Sequence, residues 1–165
     1  MFKTLKKRGS LLDPILVVVI VFALGFTAIL GYKISGAVND NLQASSLLDT
    51  DQKQMLQDNH DSYISVFDIG FLIAFVFLFG GIIIGAFMID THPIFLPIFL
   101  FLAIFITILA ALLGNVFYDA TTGTLADARS GFPIIVFVMN NFVKIIVVTI
   151  LATAGALYAK MRGNQ

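Results

Sequence analysis

The sequence predicts an all-α protein, an integral membrane four-helix bundle that forms a single membrane domain over residues 1–165. Hydrophobic residues make up 59% of the chain, whereas soluble domains are about 45–50% apolar. The mean hydropathy is +0.98. A helix needs about 20 mostly apolar residues to cross the hydrocarbon core of a bilayer. The segments that reach this length are residues 14–33, 69–89, 94–118 and 134–159.

These four segments carry almost no charge. Lys33 closes the first segment, and Lys144 in the fourth is the only other charged side chain among them. A helix at the surface of a soluble protein keeps a polar face toward water. Helices that are apolar all round are instead surrounded by lipid or by other helices, which favours the membrane assignment.

The first spanning helix is predicted to start at Asp13 and Pro14, because Asp is a good N-cap and Pro fits the first helical position. A polar segment, residues 35–68, follows on the outer side. Within it, Asp49 predicts a short capped helix that lies on the membrane surface or against a partner. Asp61 is predicted to cap the helix that becomes the second span.

The second and third spans are separated only by residues 90–93, which predicts a tight antiparallel hairpin. Pro93 fits the first turn of the third span. Residues 120–131 are rich in Thr, Gly and Ala and are predicted to form a loop. The fourth span follows Pro133.

The basic residues predict the orientation, since cytoplasmic loops carry an excess of Lys and Arg. With four spans, both termini share one side of the membrane. That side carries Lys3, Lys6, Lys7, Arg8, Lys160 and Arg162, and the opposite side carries Lys33, Lys53 and Arg129. The sequence therefore predicts that both termini are on the cytoplasmic side and that the polar segment faces outward.

Asn140, Asn141 and Lys144 are the candidate polar residues inside the membrane. An ionisable residue in a span indicates a functional role by default, such as lining a pore, binding an anionic lipid headgroup or pairing with Asp68. Alternatively, Lys144 extends its side chain to the outer interface. It lies only about 22 Å along the helix from Tyr158, so that interface is near, and both interpretations remain open.

Small residues at a spacing of four mark candidate helix-packing positions, because they let two helices approach closely. They are Gly80, Gly81 and Gly85 in the second span and Ala152, Gly155 and Ala156 in the fourth. This pattern predicts either packing within the bundle or contacts between copies of the chain.

The sequence contains no pattern typical of an enzyme. There is no cysteine, no glycine-rich phosphate loop and no HExxH motif. His60 and His92 fall on opposite sides of the predicted membrane and do not make a metal site. The net charge of zero excludes a large basic face for nucleic acid. We therefore expect no enzymatic activity, no cofactor, no metal and no direct contact with nucleic acid.

Three short segments resemble small multi-span membrane proteins of tailless, membrane-containing viruses of bacteria and archaea. The segments are His92-Pro93-Ile94-Phe95, Gly114-Asn115-Val116-Phe117-Tyr118-Asp119 and Met139-Asn140-Asn141-Phe142. The likeness extends over residues 66–160 and implies a structural protein of the virion's inner membrane. Such a protein organises the bilayer under an icosahedral capsid and contacts capsid proteins or a genome-delivery channel. The resemblance defines no functional residues.

The sequence therefore favours a structural or assembly subunit of a membrane, either the host inner membrane or the virion inner membrane. The expected partners are the lipid bilayer, copies of the chain or a larger membrane assembly, and capsid proteins in a virion. The alternative is a small channel, a transporter subunit or a holin-like permeabiliser. That class needs polar residues along one helix face, and the polar residues of these spans do not form a continuous stripe.

Overall fold

The computed structural model describes residues 13–88 and 95–163, with side chains described for 13–86 and 96–162. Over these residues the chain is helical and contains no strand. The helices are α1 (Asp13–Ala44), α2 (Thr50–Met88), α3 (Phe95–Thr122), α4 (Ala126–Arg129), α5 (Pro133–Asn140) and α6 (Phe142–Gly163). Helices α1, α2, α3 and α6 are each long and apolar enough to cross a membrane. The all-α class and four candidate spans are therefore confirmed.

The four long helices form a ring in which α1 and α6 each pack on both α2 and α3. As a result α2 and α3 lie diagonally across the bundle and are not a packed pair along their described lengths. The turn of the tight antiparallel hairpin predicted at residues 90–93 lies outside the described residues, and the two helices that it would join are not packed side by side along their described lengths. The physical reason is that the apolar faces of α2 and α3 are both covered by α1 and α6.

The interior of the bundle is apolar, and so are the outward faces of its helices. The largest fully buried side chains include Phe117, Phe142, Ile29, Ile106 and Ile135. The exposed side chains of α3 include Ile98, Leu100, Phe101, Ile104, Phe105, Ile108 and Leu112. Soluble monomers rarely expose continuous apolar faces of this extent. The outward faces are therefore suited to contact with lipid.

The polar segment 35–68 is not an irregular connection with a short helix. Helix α1 continues to Ala44, and α2 starts at Thr50 and runs for 39 residues. The predicted cap at Asp49 is confirmed: the Gln52 N–H donates to Asp49 Oδ1 at 2.8 Å, and the Asp49 N–H donates to Gln52 Oε1 at 3.2 Å. These two bonds form a capping box. We call residues 34–66 the α1–α2 hairpin.

The predicted second cap at Asp61 is wrong, because this residue lies inside α2. Its Oδ1 accepts a hydrogen bond of 2.9 Å from Gln57 Nε2, one turn earlier. Residues 50–68 contain no Gly or Pro, so no helix-breaking residue interrupts the helix that Asp49 caps. The second span was predicted over 69–89, whereas α2 extends about 28 Å further, to the turn between α1 and α2 at residues 45–49.

The fourth apolar segment is two helices, not one. Asn141 interrupts it with φ −106° and ψ 14°, and its side-chain Nδ2 donates to the Phe137 carbonyl at 2.9 Å. Asn side chains compete in this way with the helix backbone. The apolar helix that can span is α6, from Phe142 to Arg162, whereas α5 packs against α2, α3 and α1.

The remaining predictions concern the connections and the termini. The predicted loop 120–131 holds the last residues of α3 and the single turn of α4. The basic residues Lys3, Lys6, Lys7 and Arg8 and the turn with His92 and Pro93 lie outside the described residues. The orientation of the termini therefore stays a prediction.

Candidate functional site

Polar groups collect at one end of the bundle, which we call the polar end. There α1 and α2 continue into the hairpin, α3 ends, and α4 and α5 pack. Asp68 lies 20 residues before the end of α2, and Asn115 lies 20 residues after the start of α3. That separation is about 30 Å along a helix, which equals the hydrocarbon thickness of a bilayer. The polar end and the opposite ends of these helices are thus separated by about one hydrocarbon thickness.

Asp68 is the most deeply buried charged side chain of the described residues, with 4% exposure. The backbone N–H of Ile134 donates to its Oδ2 at 3.0 Å, and the N–H of Ile135 donates to its Oδ1 at 2.9 Å. These amides belong to the first turn of α5, where partial positive charge favours an anion. Asp68 on α2 therefore caps α5, although the two are 66 residues apart.

This role was not predicted, although the sequence contains a signal for it. Helix α5 begins with Pro133 after Phe132, whose side chain makes no cap hydrogen bond, and the first amides of a buried helix need an acceptor from elsewhere.

The Lys144–Asp68 pair that the sequence left open is not formed. Both Asp68 oxygens bind α5, and Lys144 Nζ donates to Asn141 Oδ1 at 3.3 Å.

Aromatic side chains join the hairpin to α5 at the polar end. Tyr32 stacks on His60, with ring centroids 4.6 Å apart, and meets Phe132 edge to face at 5.6 Å. Tyr63 also meets Phe132 edge to face, and its hydroxyl packs directly on Gly31. A side chain at position 31 would occupy the space of that hydroxyl. Packing therefore fixes the direction in which the hairpin leaves the bundle.

Hydrogen bonds hold the two arms of the α1–α2 hairpin together beyond this cluster. Asn39 Nδ2 donates to Gln57 Oε1 at 2.9 Å, and Gln43 Nε2 donates to the Lys53 carbonyl at 2.7 Å. Asn39 is buried, so its amide contact ties α1 to α2 where few apolar contacts are available. The hairpin is thus a paired element, not two frayed helix ends.

The outer surface of the hairpin is acidic and has an apolar tip. Its exposed carboxylates are Asp40, Asp49, Asp51, Asp58 and Asp61, and Lys53 is the one cation within residues 34–66. Leu47 in the turn is 90% exposed and Met55 is 72% exposed. These two side chains give the end of the polar element an apolar surface.

One ion pair ties α1 to α4. Lys33 Nζ lies 3.0 Å from Asp127 Oδ2, and their side chains are 46% and 87% exposed. Exposed pairs contribute at most about 1 kcal/mol. The pair orients the 123–131 connection more than it stabilises the fold.

The structure brings the predicted polar residues to the polar end. Arg129 Nη2 donates to Asn140 Oδ1 at 3.3 Å, and its guanidinium lies 5.3 Å from the ring centroid of Tyr118. The ammonium of Lys144 is directed toward the same end, because its acceptor Asn141 is one turn nearer to it. This direction favours the interpretation that Lys144 extends to the interface.

An open cavity of about 350 Å³ lies between α3 and the junction of α5 with α6. Its lining residues are Ala111, Gly114, Asn115, Tyr118, Met139, Asn140, Phe142 and Val143. Asn140 was predicted from the sequence as a candidate polar residue, whereas Arg129 and Tyr118 were not, because their proximity depends on how α4 folds back on α3.

The predicted small-residue positions divide into two groups. At Gly80, Gly81, Gly85 and Gly155, an added Cβ would meet nothing within 4 Å, so these glycines are not close-packing positions within the chain. Ala156 is buried against α2 and α3, whereas Ala152 is exposed. Close approaches within the chain occur at other glycines, among them Gly25, where a Cβ would lie 3.1 Å from Ile135 Cγ2 and 3.3 Å from Phe71 Cε2.

The space between the four spanning helices is apolar. A cavity of about 20 Å³ lies there, lined mostly by Val, Ile and Phe side chains from all four helices. Thr153 is buried at its wall, and its Oγ1 is the one buried side-chain polar atom of the described residues without a hydrogen-bond partner. A cavity of that size holds about one water molecule.

No protein-family profile, no curated protein sequence and no solved structure matches this chain. Among the described residues, no group of three His, Asp or Glu side chains is placed to hold a metal ion. The candidate functional features are thus the α1–α2 hairpin and the cavity between α3 and the α5–α6 junction, both at the polar end.

Proposed function

We propose that this protein is a structural or assembly subunit that is anchored in a membrane and presents the α1–α2 hairpin to a protein partner. The observation that carries the proposal is the hairpin itself: two spanning helices continue without a break into a paired, acidic element with the exposed tip residues Leu47 and Met55. An enzyme or a transporter would instead place its polar chemistry inside the bundle.

The hairpin has the rigidity that such a role requires. Helices α1 and α2 each pass from the bundle into the hairpin with no turn between, so a force on the tip reaches the membrane part directly. The Tyr32–His60 stack and the Asn39–Gln57 bond keep the arms together. A preformed element of this kind binds with less loss of conformational entropy than a flexible loop.

The charge of the hairpin favours a basic partner surface. The hairpin has five exposed aspartates and only one lysine. Complementary charge raises the rate and specificity of association. The resemblance to membrane proteins of tailless viruses favours a virion inner membrane, where the partner would be a capsid protein. Copies of the chain are the other expected partner, and the open face of α2 at Gly80, Gly81 and Gly85 leaves room for a second helix.

A photo-crosslinking amino acid at position 47 or 55, introduced in the native source, tests the proposal. We expect a stoichiometric adduct with one other structural protein, found again in the intact assembly after mild detergent extraction. Phe101 on α3 is 64% exposed and faces outward from the bundle, so the same amino acid at position 101 is the matched control and is expected to label lipid.

Two results would contradict the proposal. If positions 47 and 55 label only lipid or nothing in the intact assembly, the hairpin is not a docking element. If the protein is recovered as a small homo-oligomer that conducts ions in a reconstituted bilayer, the channel or permeabiliser alternative replaces the proposal.

A further inference from the structure

We propose that the cavity beside Arg129 binds the phosphate headgroup of an anionic glycerophospholipid. Its volume of about 350 Å³ falls within the range of small-ligand sites, about 300–1,000 Å³. Asn115, Tyr118 and Asn140 supply polar groups, and Ala111 and Val143 supply apolar ones. Such a mixed lining suits a molecule with a polar head and an apolar body.

Arg129 provides the positive charge at this cavity. Its guanidinium binds two lining residues, Asn140 by a hydrogen bond and Tyr118 by its ring face. Among the described residues, no carboxylate forms an ion pair with Arg129. A guanidinium has five N–H donors, and the planar fork that they form matches the oxygens of a phosphate.

The other charges near the cavity leave this balance positive. Lys144 follows the lining residue Val143 and is exposed, which adds a second cation at the same end of the bundle. Asp127 is engaged by Lys33. The exposed Asp119 follows Tyr118 on α3 and, like Arg129 and Lys144, does not itself line the cavity; it is one carboxylate beside two cations.

The depth of the cavity favours a lipid over a soluble anion. Asn115 lies about 30 Å from the far end of α3, which is the level of a headgroup when that end is at the opposite interface. The exposed side chains deeper along α3 and α6, such as Ile108, Leu112 and Leu151, are apolar and suit acyl chains. Gly114 leaves the cavity open, because an added Cβ would have its nearest neighbour, the Met139 carbonyl, at 3.9 Å.

Native mass spectrometry of the full chain in mild detergent tests the proposal by titration with phosphatidylglycerol and with phosphatidylcholine of the same acyl chains. We expect tighter binding of the first phosphatidylglycerol molecule. Arg129→Gln should weaken it about tenfold, as expected for one lost charge-assisted contact. It should weaken phosphatidylcholine binding less, because the choline ammonium already offsets the charge of that lipid's phosphate. Lys53→Gln removes one positive charge from the hairpin, away from the cavity, and is the matched control.

Gly114→Leu is the second variant, because it fills the cavity and keeps Arg129. It should reduce the binding of both lipids while the helical circular dichroism remains that of the original chain. Equal affinities for the two lipids, or equal losses in Arg129→Gln and Lys53→Gln, would overturn the proposal. Displacement of the lipid by millimolar inorganic phosphate would also overturn it and would assign the cavity to a free anion. These outcomes are independent of whether the hairpin binds a protein.

Discussion

The carboxylate of Asp68 on α2 accepts a hydrogen bond of 2.9 Å from the backbone N–H of Ile135 on α5. A second bond from Ile134 occupies the other oxygen. Because Asp68 is buried, water cannot replace it as acceptor for these two amides. This relationship fixes α5 across the end of the bundle and thereby positions Asn140 and the cavity that it lines.

Removal of the Asp68 carboxylate should destabilise the fold strongly. Hydrogen bonds to a charged group each contribute about 1.5–3 kcal/mol, so we expect Asp68→Ala to lower the free energy of unfolding by about 3 kcal/mol. Asp68→Asn keeps one acceptor and should cost about half as much. Unfolding by SDS in mixed micelles measures both values, and the exposed Asp58→Asn is the control. A loss in Asp68→Ala no larger than that of the control would show that α5 does not need this cap.

A larger side chain should destabilise the fold at Gly25 but not at Gly81. Gly25 faces Ile135 and Phe71 at contact distance, whereas Gly81 faces open space. Gly25→Val should therefore lower the free energy of unfolding by about 1–3 kcal/mol through overpacking, and Gly81→Val should leave it almost unchanged. The same SDS titration measures both variants.

Gly81→Val also tests self-association. If copies of the chain pack through this face of α2, the variant should lose energy transfer between donor- and acceptor-labelled chains in liposomes while its unfolding curve stays the same. Undiminished energy transfer would exclude this face from the contact between copies.

Thr153→Val should not destabilise the protein. The Thr153 hydroxyl is buried beside the central apolar cavity and has no hydrogen-bond partner, and burying an unsatisfied hydroxyl costs about 1–3 kcal/mol in proteins. Valine has nearly the same shape without that cost, so we expect the midpoint of thermal unfolding to stay the same or rise. A clear decrease in the midpoint would show that the hydroxyl has a partner in the membrane.

Asp49→Ala should loosen the α1–α2 hairpin without unfolding the bundle. Loss of an Asp N-cap costs about 1 kcal/mol, and here it also removes the reciprocal bond with Gln52. Hydrogen exchange should become faster for the amides just after Thr50 and stay unchanged in α6. Asp58→Asn, which lies on the same arm but caps nothing, should leave the exchange pattern as it is.

Some of this structure was predictable because its causes are local in sequence. The cap at Asp49 follows from residue type and position, and the four candidate spans follow from apolar length. The interruption of the fourth span at Asn141 was not predicted, because the apolar residues on both sides are equally compatible with one continuous helix. The prediction that α2 starts near Asp61 failed because polarity was taken as the end of a helix, whereas Gln57 and Asp61 stabilise the helix by pairing one turn apart.

The sequence by itself determined that this chain is helical and that four of its helices can cross a membrane, since length and apolar composition decide these properties one helix at a time. Only the tertiary structure decided which helices are neighbours, that Asp68 caps α5, and that Arg129 meets Tyr118 and Asn140. In lipid, the apolar faces of α2, α3 and α6 are nearly equivalent in composition. Their arrangement is therefore decided by shape, by close approach at Gly25 and by the few polar groups that need partners.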